Sequence, residues 1–129
     1  MNTINIRGDE WDVDYLIAML STMKPGKFQR QGWTPRDALV SNDGGRYTIY
    51  TGQTFDPDKM TLCKGFWGHD HCESCNWELN DFQGEEHAVG YFNGYNWLCE
   101  ECYRHFVLED RLDLKLGQQD PNQSVHTTT

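Results

Sequence analysis

Cys72, Cys75, Cys99 and Cys102 form two Cys-x-x-Cys pairs, with twenty-three residues between the pairs. A Cys-x-x-Cys knuckle can aim two sulfurs at one point. Two knuckles supply the four thiolates of a tetrahedral zinc site with bonds of about 2.3 Å. The spacing predicts one structural Zn2+ ligated by Cys72, Cys75, Cys99 and Cys102. Four protein ligands leave no coordination position for water, so the expected site is structural and not catalytic. The fifth cysteine, Cys63, stands alone and is expected to be a small buried apolar side chain. An odd cysteine count suits a disulfide framework poorly. A redox reading of Cys-x-x-Cys would need a single motif beside a βαβ pattern, which the sequence lacks.

The histidines are the next candidate ligands. His69 and His71 flank the first knuckle. Either could replace a cysteine on the metal or donate to a thiolate from outside. Because the four sulfurs already satisfy zinc, an exposed or outer role is the expectation for both. His87 falls on an expected strand, His105 on an expected helix and His126 in the C-terminal tail, each structural or solvated. The competing reading is a nuclease-like enzyme with a second metal held by histidines, His87 and His105 among them. No Ser/His/Asp ordering, phosphate-binding glycine loop or His-Glu-x-x-His motif is present. No catalytic residue is assigned, and a non-enzymatic role is the leading expectation.

Charge argues the same way. The net charge is −9. Residues 1–68 carry eight acids and eight bases, whereas residues 69–113 carry eleven acids against Arg104 and Arg111. The whole acid excess lies around the cysteines. Zinc modules that grip nucleic acid present Lys and Arg to phosphates, and this segment would repel them. A direct nucleic-acid role is therefore not expected. Glu85/Glu86 and Glu100/Glu101 read as solvated faces. No apolar run approaches the roughly 20 residues that span a bilayer. The N-terminus has no basic-then-apolar leader, so the expected compartment is the cytoplasm, where thiols stay reduced.

The elements that must position the cysteines can be read in order. Asp9 to Met23 has apolar residues at helical spacing, acids in its first turns and Pro25-Gly26 beyond its end, and predicts a helix. Ala38–Ser41, Asn42–Gly45 and Arg46–Thr51 predict a β-hairpin. Phe55–Asp58 reads as a turn, and Lys59–Lys64 as a short strand. His87–Phe92, Asn93-Gly94 and Tyr95–Leu98 predict a second hairpin between the two knuckles. Tyr103, Phe106 and Val107 recur at helical spacing directly after the second knuckle. The expected architecture is one α+β domain over 1–116, its zinc-binding half at about 69–113, followed by a disordered tail over 117–129.

Knuckle, hairpin, then knuckle at the start of a helix resembles the treble-clef and zinc-ribbon class of zinc domains, over about residues 70–112. The resemblance implies that Cys72 and Cys75 come from the first knuckle, and Cys99 and Cys102 from the hairpin end and first helical turn. The stretch from His69 to Cys102 also resembles small bacterial proteins with two such pairs, a resemblance that implies no activity. An acidic surface with Trp77, Phe82, Tyr91, Phe92, Tyr95 and Trp97 suits a basic protein partner. The leading expectation is a zinc-stabilised interaction module, with an inhibitor or immunity-type protein as one concrete form. A zinc or redox sensor is a weaker alternative.

Overall fold

The computed structural model describes residues 2–117. Strands β1 (Thr3–Ile6) and β2 (Asp9–Asp12) pair antiparallel, with Ile6 opposite Asp9. Arg7 and Gly8 close this hairpin at φ 53° and 87°. These positive angles suit a two-residue hairpin turn, which matches the twist of the strands. The turn folds Asp9–Asp12 back on β1, so these residues do not begin the helix. Helix α1 covers Val13–Ser21 only. The acids at Asp9 and Glu10 lie on β2, while Asp12 caps α1 by accepting from the Asp14 amide at 3.1 Å. Leu16 and Leu20, one turn apart, point into the core.

The expected first hairpin is present as β4 (Arg36–Ser41) and β5 (Tyr47–Ile49). Its turn is set by Asp43, whose carboxylate accepts from the Gly45 amide and the Ser41 hydroxyl. The expected short strand is longer than Lys59–Lys64. As β6 (Met60–Trp67) it pairs with the other side of β4, giving the order β5-β4-β6.

The cysteine-bearing half begins with a two-residue ladder, β7 (Asp70–His71) against β8 (Glu78–Leu79). Strands β9 (Val89–Phe92) and β10 (Trp97–Leu98) form the second hairpin. Phe92 opposes Trp97, so Asn93–Asn96 is a four-residue loop, longer than the Asn93-Gly94 turn expected. Asn93 explains the difference. Its side-chain oxygen accepts from the Tyr95 and Asn96 amides, and its amide group donates to Lys24 O at 2.9 Å. The opposite edge of β9 is taken by β3 (Gln29–Gly32). Helix α2 (Glu100–Tyr103) continues directly into a π-helical turn over Arg104–Leu108.

The two halves share one apolar core. Ile6, Leu16, Leu20 and Phe28 from the first half meet Leu98 and Phe106 from the second. Cys72, Cys99 and Cys102 are buried in the same cluster. Mixed helices and small antiparallel sheets agree with the α+β class. The expectation of a tail over 117–129 falls, apart from Gly117, outside the described residues. No helix among them is long and apolar enough to cross a membrane.

Candidate metal centre

Each cysteine pair is presented by a different local device. In the first, Cys72 N–H donates to Trp77 O at 2.8 Å and Asn76 N–H donates to Cys72 O at 3.0 Å. Asn76 closes the loop at φ 65°. Asparagine tolerates this left-handed conformation better than most side chains. The knuckle is therefore tied off by its own backbone. In the second, Cys99 follows β10 in extended conformation and caps α2, its sulfur accepting from the Cys102 amide at 3.4 Å.

The four sulfurs converge within 4.8 Å of one another. Cys75 Sγ and Cys99 Sγ are 3.7 Å apart. Two sulfurs bonded to one tetrahedral ion at about 2.3 Å must stand about 3.8 Å apart. A disulfide would bring them to about 2.05 Å, and all four cysteines are free. The donor set thus fits a metal ion, and soft thiolates favour zinc, copper(I) or iron–sulfur chemistry over magnesium or calcium.

Four clustered thiols, three of them buried, cannot all ionise without a cation among them. Burial pushes the Cys72 thiol up. Hydrogen bonding with Cys72, Cys75 and Cys99 pushes Cys102 up. Hydrogen bonds from Cys102 and Cys72 pull Cys99 and Cys75 down. The cluster alone therefore retains protons on some sulfurs, and a bound divalent ion would displace them.

Arg7 is a member of the site that sequence reasoning missed. Its guanidinium lies 3.7 Å over the Trp77 ring. Its amide donates to Glu101 Oε2 at 3.1 Å. Burial acts to lower the Arg7 pKa, but hydrogen bonding to Cys99 and the charges of Cys99, Cys75 and Glu101 outweigh it, and the net shift is upward. A cation is thus placed against the sulfurs, ninety-two residues away in sequence from Cys99. No local sequence pattern marks this residue as part of the site.

The other expected residues separate cleanly. Cys63 is half-buried on β6 opposite Ala38, outside the four-sulfur group. His87 stacks on Trp77 at 4.1 Å, its Nδ1 2.7 Å from Glu78 O. His105 is buried beside Glu101. Among the described residues neither joins a group of three or more metal donors. His69 and His71 are exposed and stand in a group of their own with Glu78, apart from the sulfurs. Of the six aromatics considered for a partner surface, Trp97 is buried, and Trp77, Tyr91 and Phe92 are half-buried. Tyr91 stacks on Tyr103 and Phe92 on Trp97. Only Phe82 and Tyr95 are exposed.

Over 91 residues, 70% of the chain, the sequence is 30% identical to PR domain zinc finger protein 10 of Mus musculus. It is 29% identical over the same length to the protein of that name from Pongo abelii. The match spans only 8% of the length of each relative. No protein-family profile and no solved structure matches the chain.

Proposed function

We propose that Cys72, Cys75, Cys99 and Cys102 hold one structural zinc ion in a treble-clef arrangement, and that the ion keeps in shape a module that binds a basic protein partner. The observation that carries the zinc reading is the convergence of four sulfurs from two knuckles within 4.8 Å of one another, with Cys75 and Cys99 at the separation a tetrahedral ion requires. Similarity to a protein named as a zinc finger supports it. Bound zinc supplies folding free energy by neutralising and tying together the thiolates. Around it, Arg7 offsets the remaining negative charge, Cys99 fixes the start of α2, and Asn76 closes the first knuckle.

The partner reading rests on the loop Asn80–Glu86. Asn80 is fully buried, and its side-chain oxygen accepts from the Phe82 and Gln83 amides. This holds Phe82 outward, 71% exposed, among Asp81, Glu85 and Glu86. An exposed ring within a fixed acidic loop offers an anchor and a field that speeds encounter with a cationic surface. An inhibitor of a basic nuclease or toxin would use such a loop.

Two experiments test this. After exhaustive dialysis, metal analysis should find one zinc per chain, absent in Cys99→Ser. Other metals, or none, would refute the zinc reading. In affinity capture the retained proteins should be basic, should elute near 0.5 M salt because screening shortens the reach of exposed charges, and should be lost with Phe82→Ser/Glu85→Lys/Glu86→Lys. Partners that are not basic, or that the triple variant keeps equally well, would refute the docking reading.

A further inference from the structure

A second cluster of metal donors lies on the outer side of the first knuckle. The candidate ligand atoms of His69, His71 and Glu78 lie within 4.8 Å of one another. We propose that these three side chains form a second, solvent-facing site for a divalent ion of the zinc type, with an open coordination position.

The backbone places the donors. His71 lies on β7 and His69 directly precedes that strand, two residues away. His71 and Glu78 are directly opposed in the β7–β8 ladder. Opposed positions bring their Cβ atoms to about 4.5–5.5 Å. Three donors therefore converge at a two-stranded ladder whose far end is tied by the knuckle.

The side chains are already close to a ligating arrangement. His71 Nε2 is 3.8 Å from Glu78 Oε1. Two such atoms on one tetrahedral zinc, each bonded at about 2.0–2.1 Å, stand about 3.3 Å apart. A side-chain shift of roughly half an ångström closes that gap. The His69 and His71 rings meet edge to face at 4.9 Å.

Asp70, between the two histidines, is committed elsewhere. Its carboxylate accepts from Trp33 Nε1 at 2.9 Å and Trp67 Nε1 at 3.0 Å, and pairs with Arg36 at 3.2 Å. This anchors the strand between the two imidazoles and keeps its carboxylate from competing as a ligand. Two imidazoles and one carboxylate are a donor set suited to zinc and its first-row neighbours. Three protein ligands leave a position for water or a small oxygen or nitrogen donor, and the groove beside it is lined by Tyr47, Phe66 and Trp67.

Cobalt(II) is the probe. The full chain is first loaded with one equivalent of zinc and then titrated with cobalt. The expected result is one further equivalent bound, with weak visible d–d absorption and no sulfur-to-cobalt charge-transfer band. His69→Ala and His71→Ala should each weaken that binding more than about tenfold, the least that losing a group which merely supports a ligand typically costs. Glu78→Gln should weaken it too. All three side chains are at least partly exposed, and retention of the first zinc reports that each variant folds. No cobalt beyond the first zinc, uptake seen only as charge-transfer absorption, or uptake unchanged in both histidine variants would overturn the proposal. Cys99→Ser removes the first ion and tests the four-cysteine reading separately.

Discussion

Removing the metal from the four sulfurs should unfold more than the acidic half. Cys72, Cys99 and Cys102 lie in the same buried cluster as Ile6, Leu16, Leu20 and Phe28. An ion held by these cysteines would sit within the only large core that joins α1 to the second half of the described chain. Structural zinc binds small cysteine domains with about 10–16 kcal/mol at pH 7. At about 1 µM free zinc, that affinity stabilises the folded state by roughly 2–8 kcal/mol. Domains have about 5–15 kcal/mol in total. Chelation should thus remove a large part of the stability and lower Tm by roughly 10–30 °C. Calorimetry with and without a zinc chelator measures the shift. Hydrogen exchange at Leu16 and Leu20 measures its reach, because protection there should fall together with protection at Leu98 and Phe106. An unchanged Tm with unchanged protection at Leu16 and Leu20 would refute the reasoning, since it would mean that the core stands without the ion.

Arg7→Met keeps an unbranched apolar side chain near Trp77 but removes the guanidinium that lies over its ring and beside Cys99. Metal affinity should fall about 10–100-fold, as for other groups that support ligands, and an affinity within twofold of the parent in chelator competition would contradict the role given to Arg7. Acidification should release the metal. Cys72 and Cys102 hold protons above the ordinary thiol range in the metal-free cluster, so binding expels protons and affinity should rise with pH between about pH 6 and 8; a flat profile, corrected for the chelator, would count against it. Gly90→Ala should destabilise the fold by about 1–3 kcal/mol, because a Cβ there would lie 3.1 Å from Leu79 Cδ2 and Leu98 O and 3.2 Å from Trp97 Cε3. Denaturant melts of that variant matching the parent would show that the β9–β10 hairpin relaxes freely.

What the sequence revealed and what it hid follow from the range of each signal. The cysteine knuckles, the Asp43–Gly45 turn and the β9–β10 hairpin are encoded within a few residues, and each was legible. The extent of α1 was misjudged because Asp9–Asp12 satisfy a helix N-terminus in composition, while the Arg7-Gly8 turn recruits them into β2. Gln29–Gly32 carries no strand signal of its own. It is polar and exposed, and becomes β3 only because β9 offers an unpaired edge. Arg7 reaches the sulfurs only through the tertiary fold, which no local pattern records. The His71–Glu78 pairing likewise needs the register of β7 against β8, although the two histidines themselves stand out in the sequence.

Charge shows the same limit. Counted along the chain, the acids of residues 69–113 look like an unanswered field awaiting a cationic partner. In the fold, the first half answers part of it. Arg7 lies against Cys99 and Glu101, Arg30 pairs with Glu100 at 2.9 Å and Arg36 with Asp70 at 3.2 Å. Arg104 and Arg111 both reach Glu109. The exposed pairs contribute at most about 1 kcal/mol each, so they do little to hold the halves together. Their effect is on where the negative field emerges. With Asp70, Glu100, Glu101 and Glu109 locally compensated, the acids without an ion pair among the described residues include Asp81, Glu85 and Glu86, gathered on the loop that also holds Phe82 outward. Of the acids of residues 69–113 left without an ion pair, Glu73, Asp110 and Asp113 lie apart, while Asp81, Glu85 and Glu86 gather on one loop in space. That concentration, more than the total of −9, is what a cationic partner would meet.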